Sequence, residues 1–396
     1  MRFGAAAIPL GAAWSSPFVR WQGSLADLNS IDLAAQVATD GLRRAGIDAA
    51  QLDSIVLGTT VPQKESFYGG TTLAARLGAP GITGPMLSQA CATSVACIQA
   101  AAAGADEGDV VAAVLTDRTS NGPLLTYPSS KAPGGSPTIE HWILDNFKKD
   151  PWGGLAMVGT AEAVAAEAGI QRGELDELAL LRYEQYQQAL DDDRAFQRPW
   201  MVPVRVPRRG KDPLVVDTDE GVFPTTAEGL AKLPPTEPGG VVTFGTQTHP
   251  ADGTAGMVVA RLEIARELSG GRGVARVLAT GFARVEKARM PKAPVPAAKA
   301  ALHTAGLTID QADAVKTHNP FAVNDVWFAR ETGYPVERAN AFGCSLVYGH
   351  PQGPTGARGV VELIAELEAR GGGIGLFTGC AAGDTGGAVV MRVDGS

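Results

Sequence analysis

Short apolar runs and longer stretches of helical periodicity alternate along the chain. A short apolar run bounded by turn residues is typical of a buried strand, and apolar residues repeated every three to four positions are typical of a helix. These patterns predict strands at 54–60, 110–116, 273–283, 312–318, 373–380 and 386–393. They predict helices at 31–47, 94–104, 160–170, 175–190, 294–307 and 355–373. Strands that alternate with helices predict an α/β layered fold.

Two stretches of the chain follow the same plan. Residues 32–60 and 296–318 each contain a helix, a turn (AGIDAAQLD and AGLTIDQAD) and a strand. We interpret this as duplication of one α/β unit, because the period is far too long for a solenoid repeat. Residues 121–250 are richer in Pro, Trp and charge and predict an inserted domain that caps the sheet core. The predicted domains are therefore 1–120, 121–250 and 251–396.

The composition indicates a globular protein and excludes several classes. Of the 396 residues, 45% are hydrophobic and 19% are charged, which argues against disorder. The net charge of −8 argues against a general nucleic-acid binder. A polyanionic ligand would need a local basic cluster, and the segment 205–211 supplies one. No run approaches the roughly 18 apolar residues of a membrane span, so none is predicted.

Targeting and cysteine patterns suggest a cytoplasmic protein. Residues 1–23 contain an apolar stretch but lack the order of regions found in a secretory signal. The four cysteines include no CxxC pair, so we predict no metal site. In a chain of this size we expect cytosolic thiols, some of them catalytic.

Cys91 is the first candidate for chemistry. It ends a strand-like segment, PMLSQACAT (85–93), and precedes the alanine-rich helix. A thiol at a helix N-terminus is exposed to the positive end of the dipole, which favours the thiolate. The alternative is that this cysteine only packs, as most isolated buried cysteines do. Cys97 lies about 120° further around the helix and should face the core.

A second motif, NAFGCSLVYGHPQGPTGARG, contains His350 in a loop between Gly349 and Gly353. Glycines allow close approach of the backbone to a ligand. A phosphate-binding loop is an alternative, but the Lys-Ser/Thr pair of a P-loop is missing. A structural or solvated histidine is the other alternative. Cys344 lies in the same loop, where we expect it to pack.

Two further candidates lie where strands end. Cys380 closes a strand and enters the glycine-rich turn CAAGDTGG, and His318 and Asn319 end another strand. In an open α/β sheet the ends of strands gather at one crevice. We therefore expect Cys91, His350 and these residues to meet in a single site.

These motifs, in this order, resemble the signatures of the thiolase family. CATSVA contains the position of the nucleophilic cysteine, Cys91; GHPQGPTG contains His350; and CAAGDTGG contains the second cysteine, Cys380. Weaker matches at TDRTSNGP, MVGTAEAVAAEAG and LAKLPPTEPGGVVTFGTQTHPADGTAG extend the resemblance over essentially the whole chain. The resemblance implies a thiolase fold: a duplicated five-layered αβαβα core with an inserted loop domain.

The chain departs from the family pattern at four places. His318-Asn319-Pro320-Phe321 replaces Asn-Glu-Ala-Phe and is closer to the His-Asp-x-Phe version of the sterol-carrier-protein-like branch. Ala382 stands where the family has glycine, Ala156-Met157 replaces His-Met, and ESFYGGTTLAA replaces the GQNPAR segment. These departures affect the expected substrate more than the reaction, and they suggest a branched, aromatic or sterol-derived acyl chain.

The resemblance also implies a mechanism. Cys91 would attack the carbonyl of a 3-oxoacyl-CoA after His350 takes its proton. Cys380 would act as general acid and base at the α-carbon. One oxyanion hole would consist of His350 and His318, and a second of the backbone N–H groups of Cys91 and Ala382.

Coenzyme A is the cosubstrate that the resemblance implies, with no covalently bound cofactor. Met157 and Thr248 would line the pantetheine channel, and Arg208 and Arg209 would contact phosphate. A solvated loop is the alternative for the two arginines. The reaction would be thiolysis, as in beta-oxidation, or the reverse Claisen condensation.

Other classes and assemblies compete with this reading. A ketoacyl synthase is less consistent with the second cysteine, and a serine hydrolase would need a GxSxG motif that the chain lacks. A Claisen-condensing acyltransferase of other specificity is an open alternative. A thiolase-like subunit that acts with a small partner protein remains an alternative. We expect a homodimer or tetramer, because the apolar face around 85–104 must be buried. A small accessory protein could dock on the ESFYGG loop.

Overall fold

The structure is a computed structural model that describes residues 1–394. The strands are β1 (Ala6–Pro9), β2 (Ala13–Ser15), β3 (Val19–Arg20), β4 (Ser54–Gly58), β5 (Met86–Leu87), β6 (Val111–Arg118), β7 (Leu124–Tyr127), β8 (Thr138–His141), β9 (Val204–Arg208), β10 (Lys211–Val216), β11 (Ala251–Arg261), β12 (Val274–Arg284), β13 (Ala314–His318), β14 (Gly373–Ala381) and β15 (Thr385–Val393). The α-helices are α1 (Ser30–Ala45), α2 (Gly69–Arg76), α3 (Thr93–Glu107), α4 (Leu144–Lys148), α5 (Met157–Ala168), α6 (Arg172–Gln188), α7 (Asp191–Arg194), α8 (Ala227–Ala231), α9 (Leu262–Leu268), α10 (Pro294–Ala305), α11 (Ala322–Thr332), α12 (Ser345–Tyr348) and α13 (Gly353–Ala369).

Eleven of these strands form one sheet with two related halves. The order is β13-β14-β15-β12-β1-β11-β6-β4-β5, and β2 and β3 pair with β11 beside this path. β1 pairs with both β11 and β12 and so joins the halves. Each half contains parallel pairs, β4 with β6 and β13 with β14, next to an antiparallel partner.

The alternation of side chains along the strands creates five layers. In β6, Ala113 packs with the central helices α3 and α13, whereas Ala112 packs with α1 on the other face. In β15, Met391 faces the same central helices and Val390 faces α10. Because successive strand residues point to opposite faces, the layers follow the order helix, sheet, helix, sheet, helix. The predicted αβαβα core is confirmed.

The duplication is visible in local detail. α1 and α10 each end at a glycine with a φ of 75°, Gly46 and Gly306, a conformation that glycine adopts without a steric penalty. Each helix is followed by a short 3₁₀ turn, at Ala49–Gln51 and Ile309–Gln311, with a capping box, and then by β4 or β13. The two stretches of sequence similarity therefore fold as equivalent units.

The inserted region occupies the position of a turn. In the C-terminal half, residues 382–384 connect β14 to β15, whereas in the N-terminal half residues 119–250 connect β6 to β11. This insertion carries the hairpins β7–β8 and β9–β10 and the helices α4 to α8. β11 pairs with β6 along most of its length. β11 thus completes the N-terminal half of the sheet. The domain boundary predicted from the sequence, at residue 251, places β11 in the C-terminal half instead.

One predicted strand is much shorter than expected. Of the segment 85–93, only Met86–Leu87 forms a strand, and the chain then turns. Ala90 has a φ of 45°, a left-handed conformation that interrupts extended structure. Across residues 1–394, no helix is both long and apolar enough to cross a membrane.

Candidate active site

Cys91 lies immediately before the first turn of α3. Ala92 is the N-cap of this helix, so the thiol is near the positive end of the helix dipole, as predicted. The Thr93 hydroxyl donates to the carbonyl oxygen of Ala90 at 2.6 Å and accepts from the N–H of Gln89 at 2.8 Å. These bonds hold the left-handed residue Ala90, which turns the cysteine out of the strand direction.

His350 stands just before α13 and contacts Cys91 directly. The Sγ atom of Cys91 is 3.1 Å from Nε2 of His350. Nδ1 of the same ring is 2.6 Å from the hydroxyl oxygen of Thr355. With Thr355 accepting a hydrogen bond from Nδ1–H, Nε2 is unprotonated and can receive the thiol proton. The two residues therefore have the geometry of a nucleophile and its base.

Buried contacts between α3 and α13 set the distance between these two residues. The Ser94 hydroxyl donates to the carbonyl oxygen of Gly353 and accepts from the N–H of Ala357 at 2.7 Å. The helices approach closely here, because a Cβ atom at Gly356 would lie 2.9 Å from Cβ of Ser94. A larger residue at position 356 would push the helices, and so Cys91 and His350, apart.

His318, at the end of β13, packs against His350. The ring centroids are 4.1 Å apart at an interplanar angle of 32°. Nδ1 of His318 lies 3.0 Å from the Ser345 hydroxyl, while its buried Nε2 has no hydrogen-bond partner in residues 1–394. The adjacent strand position is Gly379, where a Cβ atom would approach Cβ of His318 to 2.7 Å. The missing side chain at 379 therefore makes room for the histidine.

Asn319 points away from the cavity into a buried polar network. Its amide nitrogen donates to Asp325 at 2.7 Å, and Asp325 forms an ion pair with Arg182 at 2.7 Å. Asp325 also accepts from the Thr317 hydroxyl at 2.5 Å. This network fixes the end of β13 and so the backbone of His318.

Cys380 is the penultimate residue of β14 and is 1% exposed. Its sulfur accepts a hydrogen bond from the amide nitrogen of Asn324 at 3.3 Å. Burial raises the pKa of this thiol well above its usual range, and a negative charge on the neighbouring Cys91 raises that pKa further. A thiol held in its protonated form is suited to donate a proton.

The pKa shifts of Cys91 and His350 favour a neutral pair at rest. Burial raises the pKa of Cys91 to about 12, although the backbone N–H groups of Ala382 and Cys91 act in the opposite direction. Burial, followed by the neighbouring His318, lowers the pKa of His350 well below its usual value. Both shifts favour the proton on sulfur, and the same N–H groups can stabilise negative charge.

Cys91, His350 and Ala382 line an apolar cavity of about 270 Å³. Its other walls include Met157 and Thr248, two of the predicted ligand-binding positions. The remaining lining residues are Phe147, Val158, Gln247, Pro250, Met290, Pro320, Phe321 and Gln352. The cavity therefore leads to the thiol between mostly hydrophobic side chains.

Two family descriptions match this chain from one end to the other. The thiolase N-terminal domain matches residues 11–263, and the thiolase C-terminal domain matches residues 272–393. The chain belongs to the thiolase family.

Known thiolases resemble the chain over nearly their whole length. An acetyl-CoA acetyltransferase of Syntrophomonas wolfei is 30% identical, with 97% of this chain and 98% of the relative covered. A beta-ketoadipyl-CoA thiolase of Acinetobacter baylyi is 31% identical, covering 92% and 94%. The solved acetyl-CoA acetyltransferase of Bacillus anthracis has a TM-score of 0.91 and 27% identity, covering 99% of each chain. The human mitochondrial 3-ketoacyl-CoA thiolase in complex with CoA has a TM-score of 0.90 and 25% identity, also covering 99% of each.

Not every residue named from the sequence lies at the thiolase cavity. Arg208 and Arg209 are exposed at the tip of the β9–β10 hairpin, and Nε of Arg208 donates to the carbonyl oxygen of Asp212 at 2.9 Å. Neither arginine lines the cavity. Cys97 and Cys344 are buried in hydrophobic clusters, as expected.

The structure adds residues that sequence reasoning missed. Thr355 and Ser345 hydrogen-bond the two site histidines, and Asn324 contacts Cys380. Their only signal in the sequence is their proximity to the thiolase motifs, since each is a common residue on a helix or loop. Distance in the fold was needed to identify them.

Proposed function

We propose that this thiolase cleaves a 3-oxoacyl-CoA with CoA, or runs the reverse Claisen condensation, through an acyl-Cys91 intermediate. The enzyme is an acyltransferase and CoA is its cosubstrate. The observation that carries the proposal is the 3.1 Å contact between Sγ of Cys91 and Nε2 of His350 at the wall of an apolar cavity. This contact supplies a nucleophile with a base in position to activate it.

In the thiolytic direction, Nε2 of His350 takes the thiol proton as the sulfur of Cys91 attacks the 3-oxo carbon. The oxyanion is stabilised by the backbone N–H groups of Cys91 and Ala382. The same two N–H groups lower the pKa of the Cys91 thiol, so both are directed at the reacting sulfur. When the bond between C2 and C3 breaks, its electron pair moves to C2 and the thioester oxygen. His350, now protonated, and Nε2–H of His318 donate to that oxygen.

Cys380 completes the first half and begins the second. Its thiol gives a proton to C2 and releases the shortened acyl-CoA. The resulting thiolate takes the proton of incoming CoA, whose sulfur attacks the acyl group on Cys91. His350 then returns its proton to the departing Cys91. The buried, protonated Cys380 thiol next to Asn324 supports this assignment.

A second cavity of about 460 Å³ supports a route for CoA. It shares Gln247, Thr248 and Pro250 with the first cavity, and its lining includes the exposed rings of Phe223 and Phe244. In this proposal the pantetheine arm passes Met157 and Thr248. Arg208 and Arg209 line neither cavity, so the geometry gives no support to their contact with phosphate.

The acyl group would occupy the apolar end of the first cavity. Phe147, Met290 and Phe321 line this space and carry no charge. We propose a non-linear acyl chain, branched, aromatic or sterol-derived, because the His318–Phe321 motif departs from that of ordinary thiolases.

A panel of CoA thioesters, assayed in both directions through the absorbance of the 3-oxothioester enolate, tests the reaction and its acyl preference. Turnover of none of the 3-oxoacyl-CoA compounds would contradict the proposed reaction.

Exposed apolar groups support a homodimer. β5 is the last strand of the sheet, so one of its edges is unpaired within the described chain. Nearby, Met86 is 38% exposed, and Phe67 and Tyr68 of the ESFYGG loop are 85% and 72% exposed. Such groups are typical of an interface. The alternative is a small accessory protein that binds Phe67 and Tyr68. The molar mass of the purified chain, measured by light scattering, distinguishes a dimer from a monomer that needs another partner.

A further inference from the structure

Three potential metal ligands converge at the resting active site. One ligand atom each from Cys91, His318 and His350 lies within 4.8 Å of the others. Bond lengths of about 2.0 Å to nitrogen and 2.3 Å to sulfur place tetrahedral zinc ligands about 3.5 Å apart. The pair Cys91 Sγ and His350 Nε2, at 3.1 Å, is already near this spacing. The ligand atom of His318 lies within 4.8 Å of the other two and would have to move closer to complete the set.

The free nitrogen of His318 is the second observation. Nε2 is buried, the residue is 1% exposed, and no group in residues 1–394 forms a hydrogen bond with this nitrogen. An unpaired buried polar atom in a native site calls for an explanation, such as a ligand. The ring of His318 packs against the ring of His350, which itself contacts Cys91.

Hydroxyl groups behind both rings can hold the tautomer that a metal needs. Ser345 can accept from Nδ1–H of His318 at 3.0 Å while it donates to Oδ1 of Asn319 at 3.4 Å. The Asn319 amide is oriented by its bond to Asp325, so Oδ1 faces Ser345. In this arrangement Nε2 of His318 carries a lone pair. When Ser345 donates to Nδ1 instead, Nε2–H becomes the oxyanion donor of the proposed mechanism.

Thr355 has the same relationship to His350, since its hydroxyl lies 2.6 Å from Nδ1. Histidines that bind metals commonly donate their second N–H to such an outer partner, which fixes the ring and its tautomer. Both rings are therefore supported at Nδ1, which leaves Nε2 of each ring available as a ligand. Because the ligands come from three distant stretches of the chain, no CxxC or HxxxH spacing marks them in the sequence.

We propose that the resting enzyme binds one Zn²⁺ through Cys91, His318 and His350, and that the metal competes with acyl-CoA for the thiol. The Cys91 proton is released to solvent as the sulfur–zinc bond forms, and water from the cavity fills the fourth position. One thiolate and two imidazoles suit a borderline-soft ion, whereas Mg²⁺ and Ca²⁺ require oxygen ligands. The expected inhibition of acyl transfer by Zn²⁺ rests on the proposed function, whereas the binding of Zn²⁺ itself does not.

The test titrates metal-free enzyme with Zn²⁺ in a calorimeter and with Co²⁺ in a spectrophotometer, without substrate. We expect one site per chain, a sulfur-to-cobalt charge-transfer band and release of one proton. Cys91→Ala should abolish the band, and His318→Asn should weaken Zn²⁺ binding by more than about 100-fold, because loss of an outer partner alone costs about 10- to 100-fold. Ser345→Ala, which removes such a partner, should weaken it by about 10-fold.

Matched controls are Cys97→Ala, which removes a core thiol, and His303→Asn, which removes an exposed histidine. Both should retain the band and the affinity. Zinc should also protect Cys91 from iodoacetamide, with protection reversed by EDTA. No band in the wild-type enzyme, or equal affinity in His318→Asn and His303→Asn, would overturn the proposal. Acylation of metal-free Cys91 is measured separately, so a failed metal site and a failed thiolase mechanism give different results.

Discussion

The Sγ atom of Cys91 lies 3.1 Å from Nε2 of His350, although 259 positions separate the two residues in the chain. Each residue stands just ahead of one of the two central helices, α3 and α13. Ser94 joins these helices through two buried hydrogen bonds. The duplicated fold thus brings Cys91 from one half and His350 from the other to the same place.

Replacement of Cys380 by alanine should separate the two kinds of chemistry. Acylation of Cys91 by acetyl-CoA should fall much less, because His350 remains in contact with the nucleophile and CoA can leave as a thiolate without a proton from Cys380. Carbon–carbon bond cleavage and formation should fall by about 100-fold or more, since no group then donates a proton to C2. Single-turnover acylation and steady-state thiolysis measure the two steps, with Cys344→Ala as a buried-thiol control. An equal loss of both steps would contradict the role of Cys380.

His318→Asn tests whether this histidine donates directly to the thioester oxygen. The shorter side chain cannot reach the same position, so kcat should fall by about 10- to 100-fold with little change in KM. His303→Asn, on the exposed surface of α10, should leave both constants unchanged. An unchanged kcat in His318→Asn would show that the histidine contributes only shape.

The same variant should alter the pH dependence of stability. Burial lowers the pKa of His318 from its ordinary value of 6.5 to about 3. Between these values the unfolded chain binds a proton that the folded chain does not, so the folded state loses stability as pH falls below 6.5. His318→Asn removes this loss, which amounts to about 2 kcal/mol at about pH 5. Urea unfolding of both proteins at about pH 5 and pH 7.5 measures it. Parallel pH profiles would contradict the shifted pKa.

Asp325 should be essential for stability through its buried ion pair with Arg182. Asp325→Ala leaves the guanidinium without its charged partner and should cost about 3–5 kcal/mol of unfolding free energy. The double variant Arg182→Met, Asp325→Leu removes both charges and should recover much of that loss. Asp40→Ala, which breaks an exposed ion pair with Arg43, is the matched control and should change stability by less than about 1 kcal/mol. Similar losses for Asp325→Ala and Asp40→Ala would contradict this account.

Local patterns predicted much of the fold because periodicity is a local property. The helix at 31–47 and the strand at 54–60 were predicted within a few residues, and their counterparts at 294–307 and 312–318 revealed the duplication. The segment 85–93 was described as strand-like, but only part of it is extended. Its apolar residues do not indicate the left-handed backbone conformation at Ala90. That conformation is held by two hydrogen bonds of the Thr93 hydroxyl, one accepted from the N–H of Gln89 and one donated to the carbonyl oxygen of Ala90, which only the folded loop provides.

The residues of the site that lie in sequence motifs were predictable, whereas those whose role depends on contacts in the folded chain were not. Cys91 and His350 came from recognisable motifs, whereas Ser345 and Asp325 act through contacts with His318 and Asn319 that depend on the folded chain. The basic run containing Arg208 looked suitable for phosphate, but apolar residues of its hairpin, including Val204, pack toward α1. A charge pattern does not indicate which face of the molecule it will occupy.

The most direct test of the acyl-cysteine mechanism is intact-mass spectrometry after brief incubation with acetyl-CoA. The account predicts that the wild-type chain and Cys380→Ala each gain one acetyl group, which added CoA removes from the wild-type chain. Cys91→Ala should gain none while it keeps the wild-type unfolding transition, because an alanine before α3 disturbs no packing contact of the core. Cys97→Ala should be acetylated like the wild-type chain. Acetylation of Cys91→Ala to the wild-type level, or of no variant at all, would contradict the central claim.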